Sequence, residues 1–259
     1  MSNQNLLIEM KDSTQIITLN RPQVLNALNK QVRMELEQAL ADAEANKKVK
    51  VIVITGSGRA FGAGKDIAEF VGLSGDELSA DSREDHRVFG KIRNLSKPVI
   101  AAINGMALGG GLELAMSCHI RVAVDTAIMG QPEVGLGAIP GAGGTQLLPR
   151  LIGTGAAFYY LLTGENIPAQ EAHRLGLVDK VVPADKLMVT VLAIAKVMGQ
   201  KGPIASKLIL EAVNKGRELS LEEGLKLEEE QVRKCGASKD FQTGVKAFIE
   251  RRPPLFEGR

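Results

Sequence analysis

The sequence has no tryptophan and only two cysteines, and aromatic residues make up 3% of its 259 residues. Single-stranded nucleic acids are held largely by stacking on aromatic rings, so this scarcity argues against such a partner. Cys118 and Cys235 match no metal-binding or redox spacing, and we interpret them as reduced thiols of a cytoplasmic protein. No apolar run approaches the roughly 20 residues that span a bilayer, and residues 1–5 lack a secretion-signal pattern.

The charge balance is nearly even. The formal net charge is +2, with 24% charged and 44% hydrophobic residues. This small excess provides no basic surface for a nucleic acid or an anionic membrane, so we expect neither as a partner. The length suits one large domain, or one domain with a small appendage, and allows a core of useful size.

Apolar patterning predicts an α/β fold. Continuous apolar runs at 49–55 and 98–103 are typical of strands buried on both faces. Helical spacing of apolar residues predicts a helix over about 30–46. The segment 76–94 is also expected to be helical and should be exposed at the surface. Strands that alternate with helices indicate an α/β core. Near residue 200 the composition changes to charged, helix-rich sequence, which predicts a boundary at that point.

Two glycine-rich segments suggest nucleotide binding, but both depart from the required patterns. A dinucleotide fingerprint beginning at Gly56 needs a third glycine where the chain has Phe61. A phosphate-binding loop ending at Gly64 needs glycine at Arg59 and serine or threonine at Asp66. We therefore predict no nucleotide site of either kind, and no spacing of ligand residues predicts a metal site.

A third glycine-rich segment, 109–111, precedes Glu113. If a helix begins here, its first N–H groups have no partner within the helix and can stabilise a developing oxyanion. Gly110 and Glu113 are three residues apart and so share one helical face. The alternative is that Glu113 only complements the helix dipole from the first turn, as acidic residues often do there.

A second acidic residue, Glu133, opens a loop that contains five glycines between 135 and 144. Such a backbone could wrap a ligand, although a carboxylate in a loop is often merely solvated. Two carboxylates from two loops are what the addition of water requires. One draws a proton from water, and the other supports delivery of a proton to carbon.

Taken together, these segments resemble the enoyl-CoA hydratase/isomerase (crotonase) family over essentially the whole chain. Each motif is weak alone, but their combination is specific. The matching motifs are Asn20-Arg21-Pro22 with Asn26-Ala27-Leu28, Ala60 to Ile67, Pro98 to Gly105 with Gly109 to Ala115, Gln131-Pro132-Glu133, Ile139 to Gln146, and Arg252 to Phe256.

The resemblance implies a spiral of repeated β-β-α units over residues 1–199 and a helical trimerisation region over 200–259. It also implies a homotrimer, or a homohexamer built as a dimer of trimers, that acts on acyl-CoA substrates. No separate cofactor is implied, because coenzyme A is part of the substrate. The reaction belongs to fatty-acid metabolism of the β-oxidation type, with chain length and pathway left open.

The resemblance also implies the site residues. The thioester oxygen would lie between the main-chain N–H groups of Lys65 and Gly110. Glu133 would be the main proton donor to C2, and Glu113 would help activate water. The residues expected to contact the CoA thioester are Ala27, Ala63, Lys65, Asp66, Ile67 and Gly110.

Because both glutamates are present, the resemblance favours a hydratase over an isomerase that shifts a 3-enoyl double bond. A relative that binds acyl-CoA or RNA without catalysis is a further alternative. One departure from the family stands out: Lys65 occupies a position where many members have a small residue. Its N–H can still serve as a donor. Its side chain should face solvent, or alternatively reach a CoA phosphate.

Overall fold

The structure, a computed structural model that describes residues 5–259, contains two sheets whose strands alternate along the chain. The expectation about residues 1–5 falls largely outside the described residues. The strands over this range are β1 (Leu6–Lys11), β2 (Thr14–Leu19), β3 (Val51–Gly56), β4 (Ala60–Gly62), β5 (Val99–Ile103), β6 (Met106–Leu108), β7 (Ile120–Val124), β8 (Ile128–Gly130), β9 (Ile167–Pro168) and β10 (Lys180–Val182).

The larger sheet has the strand order β1-β2-β3-β5-β7-β10. Only β1 runs antiparallel to its neighbour, and the other pairs are parallel. The central strands β3 and β5 are the two continuous apolar runs, and the side chains of Ile54 and Ile100 are fully buried. This agrees with the rule that parallel strands covered on both faces consist of uninterrupted apolar residues.

The smaller sheet has the order β4-β6-β8-β9. Its strands are two or three residues long. The sequence predicts a strand at 127–129, which matches β8, but only a glycine-rich loop over 56–64, where the structure has β4. Each of β4, β6 and β8 follows directly after β3, β5 or β7 of the larger sheet. A helix follows each pair of strands, which confirms the expected repetition of β-β-α units.

Ten α-helices surround these sheets within residues 5–259. Their bounds are α1 (Lys30–Ala45), α2 (Gly75–Asn94), α3 (Gly110–Ser117), α4 (Gly144–Ile152), α5 (Thr154–Thr163), α6 (Ala169–Arg174), α7 (Leu187–Gly199), α8 (Pro203–Gly216), α9 (Leu221–Gly236) and α10 (Lys239–Ile249). The helices predicted at 30–46 and 76–94 match α1 and α2 to within one residue at each end.

Helix α2 differs from its predicted exposure on one face. Its start is fixed by a capping box, in which Ser74 and Glu77 bond each other's backbone N–H. Val88, Phe89 and Ile92 are buried, and so is the charged Asp85. The prediction of a surface helix was therefore wrong for this face, because the charged residues that dominate this segment obscured its short apolar stripe.

The predicted boundary near residue 200 falls between α7 and α8. The last helix carries apolar side chains on its surface, with Phe248 85% and Ile249 75% exposed. The assignment of 200–259 to oligomerisation stays a prediction. Within the described part of the chain, no single helix is long and apolar enough to span a membrane. Ala184–Gly199 and Pro203–Gly216 reach that length and composition only together, with a 107° bend.

Candidate active site

A short parallel pairing joins the segments 25–28 and 63–66. The Ala63 N–H donates to the Leu25 carbonyl at 2.9 Å, the Leu28 N–H donates to the Gly64 carbonyl at 2.8 Å, and the Asp66 N–H donates to the Leu28 carbonyl at 3.0 Å. In a parallel bridge of this kind, the residue between the two bonded peptides turns its own N–H away from the partner strand. The Lys65 N–H therefore points away from Leu28.

Helix α3 begins at Gly110 on the other side of that N–H. Gly110 is the first helical residue, so its N–H has no partner within the helix. A Cβ atom built on Gly110 would lie 3.4 Å from the Lys65 nitrogen, and one built on Gly64 would lie 3.8 Å from the Gly110 nitrogen. The two amide groups are thus held side by side, at the positive end of the helix dipole.

The close approach of these two loops depends on glycine. A Cβ atom on Gly111 would lie 2.1 Å from the Gly62 carbonyl oxygen, a distance that no side chain can tolerate. Helix α3 therefore packs against β4 main chain to main chain. This places the start of the helix beside the Lys65 loop.

Glu113 is buried in the first turn of α3, with 1% of its surface exposed. Its Oε1 accepts hydrogen bonds from the Ala142 N–H at 2.8 Å and the Gly144 N–H at 2.7 Å. Burial raises the pKa of Glu113 to about 7, with a further contribution from the charge of Glu133, and the two N–H donors oppose the shift. Glu113 also lies where an acidic residue complements the helix dipole, so the alternative role stays a prediction beside the catalytic one.

Glu133 lies in a 3-10 helix, Pro132–Leu136, and is half-buried. Its Oε1 is 2.7 Å from the position of a Cβ on Gly109, so it lies against the residue that precedes α3. Burial raises the pKa of Glu133. The Gln131 amide nitrogen, in the orientation that satisfies its contacts, donates to Oε1 at 3.0 Å and Oε2 at 3.1 Å. The carboxylate is thereby oriented toward the start of α3.

The structure brings most of the predicted substrate residues to one strip. Ala27, Ala63 and Asp66 lie on the paired segments 25–28 and 63–66. Arg21 holds this strip, because its guanidinium donates to the Ala27 carbonyl at 2.6 Å and to Asp66 Oδ2 at 3.2 Å. Ile67 follows at the start of a 3-10 helix and is 53% exposed, so it borders the strip from the surface.

The side chain of Lys65 does not face solvent, so the preferred prediction for it was wrong. Its Nζ forms ion pairs with Asp81 and Asp85 of α2, and it lies 5.3 Å from the centre of the Phe70 ring. Only 16% of the side chain is exposed. The sequence did not reveal these partners because they are 16 and 20 residues away on a helix that was predicted to be exposed.

Two supporting residues were also missed. Asn26 is buried with φ +58°, and its amide donates to the carbonyls of Ser57 at 2.9 Å and Ala60 at 2.7 Å. It fixes the turn that leads into Ala27. Gln131 was quoted in a motif but given no role. Asparagine at a left-handed position is a recognisable turn signal, whereas nothing in the local sequence predicts that Gln131 meets Glu133.

Comparison with known proteins identifies the family of this chain. The profile of the enoyl-CoA hydratase/isomerase family matches residues 9–259. A probable enoyl-CoA hydratase of Mycobacterium bovis is 44% identical over all of both chains. A crotonyl-CoA hydratase of Syntrophomonas wolfei is 42% identical over 99% of both chains. The crystal structure of an enoyl-CoA hydratase from Bacillus anthracis, 38% identical, superposes with a TM-score of 0.95 over 99% of this chain and 100% of that one.

The profile spans nearly the whole chain and the superposition includes the C-terminal helices. The chain therefore belongs to the enoyl-CoA hydratase/isomerase family and has the crotonase fold.

Proposed function

We propose that this protein is an enoyl-CoA hydratase that converts a trans-2-enoyl-CoA into the 3-hydroxyacyl-CoA. The observation that carries the proposal is the placement of two carboxylates at the start of α3: Glu113, buried in its first turn, and Glu133, half-buried against Gly109. Water addition needs one group that accepts a proton and one that supplies a proton, and both pKa values are raised toward the range in which a carboxyl can do either.

The N–H groups of Lys65 and Gly110 would bind the thioester oxygen. Addition at C3 moves electron density through the double bond onto that oxygen and produces an enolate. Two donors fixed before the reaction stabilise this charge without any rearrangement, and removal of one such donor costs roughly 100- to 1000-fold in turnover.

The hydrogen bonds of Glu113 assign its two oxygens to different tasks. Oε1 is occupied by the N–H groups of Ala142 and Gly144, so Oε2 is the atom that would accept a proton from water. The resulting hydroxide oxygen bonds to C3. Glu133, beside Gly109, would transfer its proton to C2 of the enolate, which restores the thioester carbonyl. One water is consumed, and proton exchange with solvent resets both carboxyl groups.

Coenzyme A would follow the strip of Ala27, Ala63, Asp66 and Ile67. No separate cofactor enters the reaction. We also propose a cytoplasmic homotrimer, or a dimer of trimers, because the C-terminal helices expose large apolar residues that a second subunit would cover. Phe248, Ile249 and Leu255 are each at least 75% exposed.

The test follows the absorbance of the conjugated thioester of crotonyl-CoA. The parent should remove it, and Glu113→Gln and Glu133→Gln should each lower kcat by roughly 100-fold or more. Glu9→Gln, an exposed glutamate on β1, is the matched control and should react like the parent. A parent that leaves crotonyl-CoA unchanged but converts a 3-enoyl-CoA to the conjugated isomer would instead identify an isomerase.

A further inference from the structure

Four charged side chains meet behind the proposed oxyanion site. Arg33 of α1 binds Asp81 at 2.7 Å and Asp85 at 2.8 Å, and Lys65 binds the second oxygen of each of these aspartates. The cluster is neutral as a whole. None of its side chains is more than 16% exposed, and Asp85 is 5% exposed. We call these four residues the α2 cluster.

A buried cluster of this kind is poor evidence of stabilisation, because removal of four charges from water costs about as much as their attraction returns. An apolar contact would hold α1 against α2 at least as well. The α2 cluster fixes geometry more specifically than an apolar contact would, since each aspartate bridges two cations from different parts of the chain. Burial raises the pKa of Asp81, but the hydrogen bonds from Lys65 and Arg33 lower it by more. The net effect is a decrease in the pKa, so this carboxylate stays charged.

The cluster includes Lys65, whose N–H is the proposed donor to the thioester oxygen. The Lys65 side chain passes over α3, and its Cγ is 3.2 Å from the position of a Cβ on Gly110. The backbone of Lys65 is paired with Leu28 on one side only. The side chain therefore adds an attachment of this loop to α2, beside the one that Arg21 makes through Asp66.

The same turn of α2 also reaches the other half of the site. The Ser82 hydroxyl donates to the Gly141 carbonyl. Gly141 precedes Ala142, whose N–H holds Oε1 of Glu113. One turn, 81–85, thus contacts both the loop that supplies an oxyanion donor and the loop that orients a carboxylate.

We propose that the Lys65 side chain, held by Asp81 and Asp85, is a positioning group that fixes the Lys65 N–H in the oxyanion site. This inference rests on the proposed function. It excludes the alternative that the side chain binds a CoA phosphate, because its ammonium group is already paired with two carboxylates and largely buried. The lysine stem, not a small residue, then sets the distance between this N–H and that of Gly110.

The experiment compares Lys65→Met, which keeps the stem without the charge, with Lys65→Arg, which keeps the charge. For Lys65→Met, kcat with crotonyl-CoA should fall roughly 10- to 100-fold, the cost of a displacement of about 1 Å. KM should change less than about twofold. Lys65→Arg should recover most of the loss. The matched control is Glu37→Gln, which breaks the α1–α2 ion pairs with Arg87 and Lys91 without touching the loop, and it should keep the parent kcat.

A double variant separates positioning from stability. Lys65→Met leaves Asp85 buried with one cation too few, so it should lower the midpoint of thermal unfolding, Tm. Lys65→Met with Asp85→Asn restores neutrality and should recover Tm while kcat stays low. Recovery of both, or an unchanged kcat in Lys65→Met, would overturn the inference. An increased KM with an unchanged kcat would assign the side chain to CoA binding and overturn it as well.

A binding readout keeps this result distinct from failure of the proposed function. Acetoacetyl-CoA can ionise to an enolate that absorbs in the near ultraviolet, and a competent oxyanion site should favour that form in the bound state. The parent and Glu37→Gln should show this band, and Lys65→Met should show less of it at saturation. A parent that neither hydrates crotonyl-CoA nor forms the band would overturn the proposed function together with this inference. A parent with both properties, matched by Lys65→Met, would overturn this inference alone.

Discussion

The Oε1 atom of Glu133 lies 2.7 Å from the position that a Cβ atom would occupy on Gly109, the residue directly before α3. This contact joins the proposed proton donor to the proposed oxyanion site through a single main-chain position. It also explains why that position is glycine, since its φ of +47° disfavours any side chain as well.

The first prediction concerns this contact. Gly109→Ala should push the Glu133 carboxylate away from α3 and strain the backbone, so kcat should fall roughly 100-fold. Gly155→Ala is the control, because a Cβ at that position in α5 meets nothing within 4 Å. Steady-state kinetics with crotonyl-CoA distinguish the two. Equal activity of both variants would show that the Glu133 position does not matter.

The second prediction concerns stability and pH. The folded-state pKa of Glu113 is about 7, above the ordinary value of 4.5. Between pH 4.5 and about 7, Glu113 is therefore protonated in the folded protein but ionised in the unfolded chain. The stability that Glu113 contributes is fully present below pH 4.5 and is lost as pH rises through about 7. Glu113→Gln removes this loss, and its oxygen can still accept from Ala142 and Gly144. At pH 8 its Tm should exceed that of the parent by about 4 °C or more.

At pH 4 the two proteins should unfold at similar temperatures, because the parent glutamate is then protonated in the folded state. Thermal unfolding followed by circular dichroism measures both conditions. A lower Tm for Glu113→Gln than for the parent at pH 8 would show that burial of ionised Glu113 does not destabilise the folded protein.

The third prediction concerns Gln131. Its amide donates to both oxygens of Glu133, and donors of this kind favour the ionised carboxylate. Gln131→Met should therefore raise the pKa of Glu133 further. Because Glu133 must be protonated to transfer a proton to C2, the alkaline limb of the plot of kcat against pH should move to higher pH. An unchanged profile with lower kcat throughout would indicate that Gln131 only orients the carboxylate.

The fourth prediction concerns the turn before Ala27. Asn26→Ala removes the donor to the Ser57 carbonyl and the acceptor of the Arg21 N–H, and it leaves the Ala60 carbonyl with Asn104 as its donor. It also places a side chain that does not favour φ +58° there. The free energy of unfolding should fall by about 1–3 kcal/mol. Asn94→Ala is the control, since that amide bonds only the Gly90 carbonyl on an exposed surface. Urea unfolding of the two variants should separate them, and equal losses would contradict the assigned role of Asn26.

Long elements with a clear period could be predicted from the sequence. Helices α1 and α2 and strands β3 and β5 have enough residues for apolar spacing to define them. Strands β4, β6 and β9 could not be predicted in this way, because two or three residues contain no period. β4 and β6 lie side by side because β3 and β5, the strands that precede them, are neighbours in the larger sheet.

The site was predictable where the main chain acts and less so where side chains meet from distant segments. Glycines 109–111 followed by Glu113 allow a prediction of exposed main-chain N–H groups, provided that a helix begins there. By contrast, the burial of Glu113 depends on the loop at 142–144, and the partners of Lys65 lie on α2. Neither contact has a local signal, since both are set by how the β-β-α units stack.

The most direct test of the account is the fate of crotonyl-CoA in water labelled with heavy oxygen, followed by mass spectrometry. The parent should form a 3-hydroxyacyl-CoA that carries the oxygen label in its new hydroxyl group. Glu133→Gln should incorporate the label at least about 100-fold more slowly. Recovery of unlabelled thioester, with its double bond unchanged or moved, would contradict the central claim that this protein adds water to an enoyl-CoA.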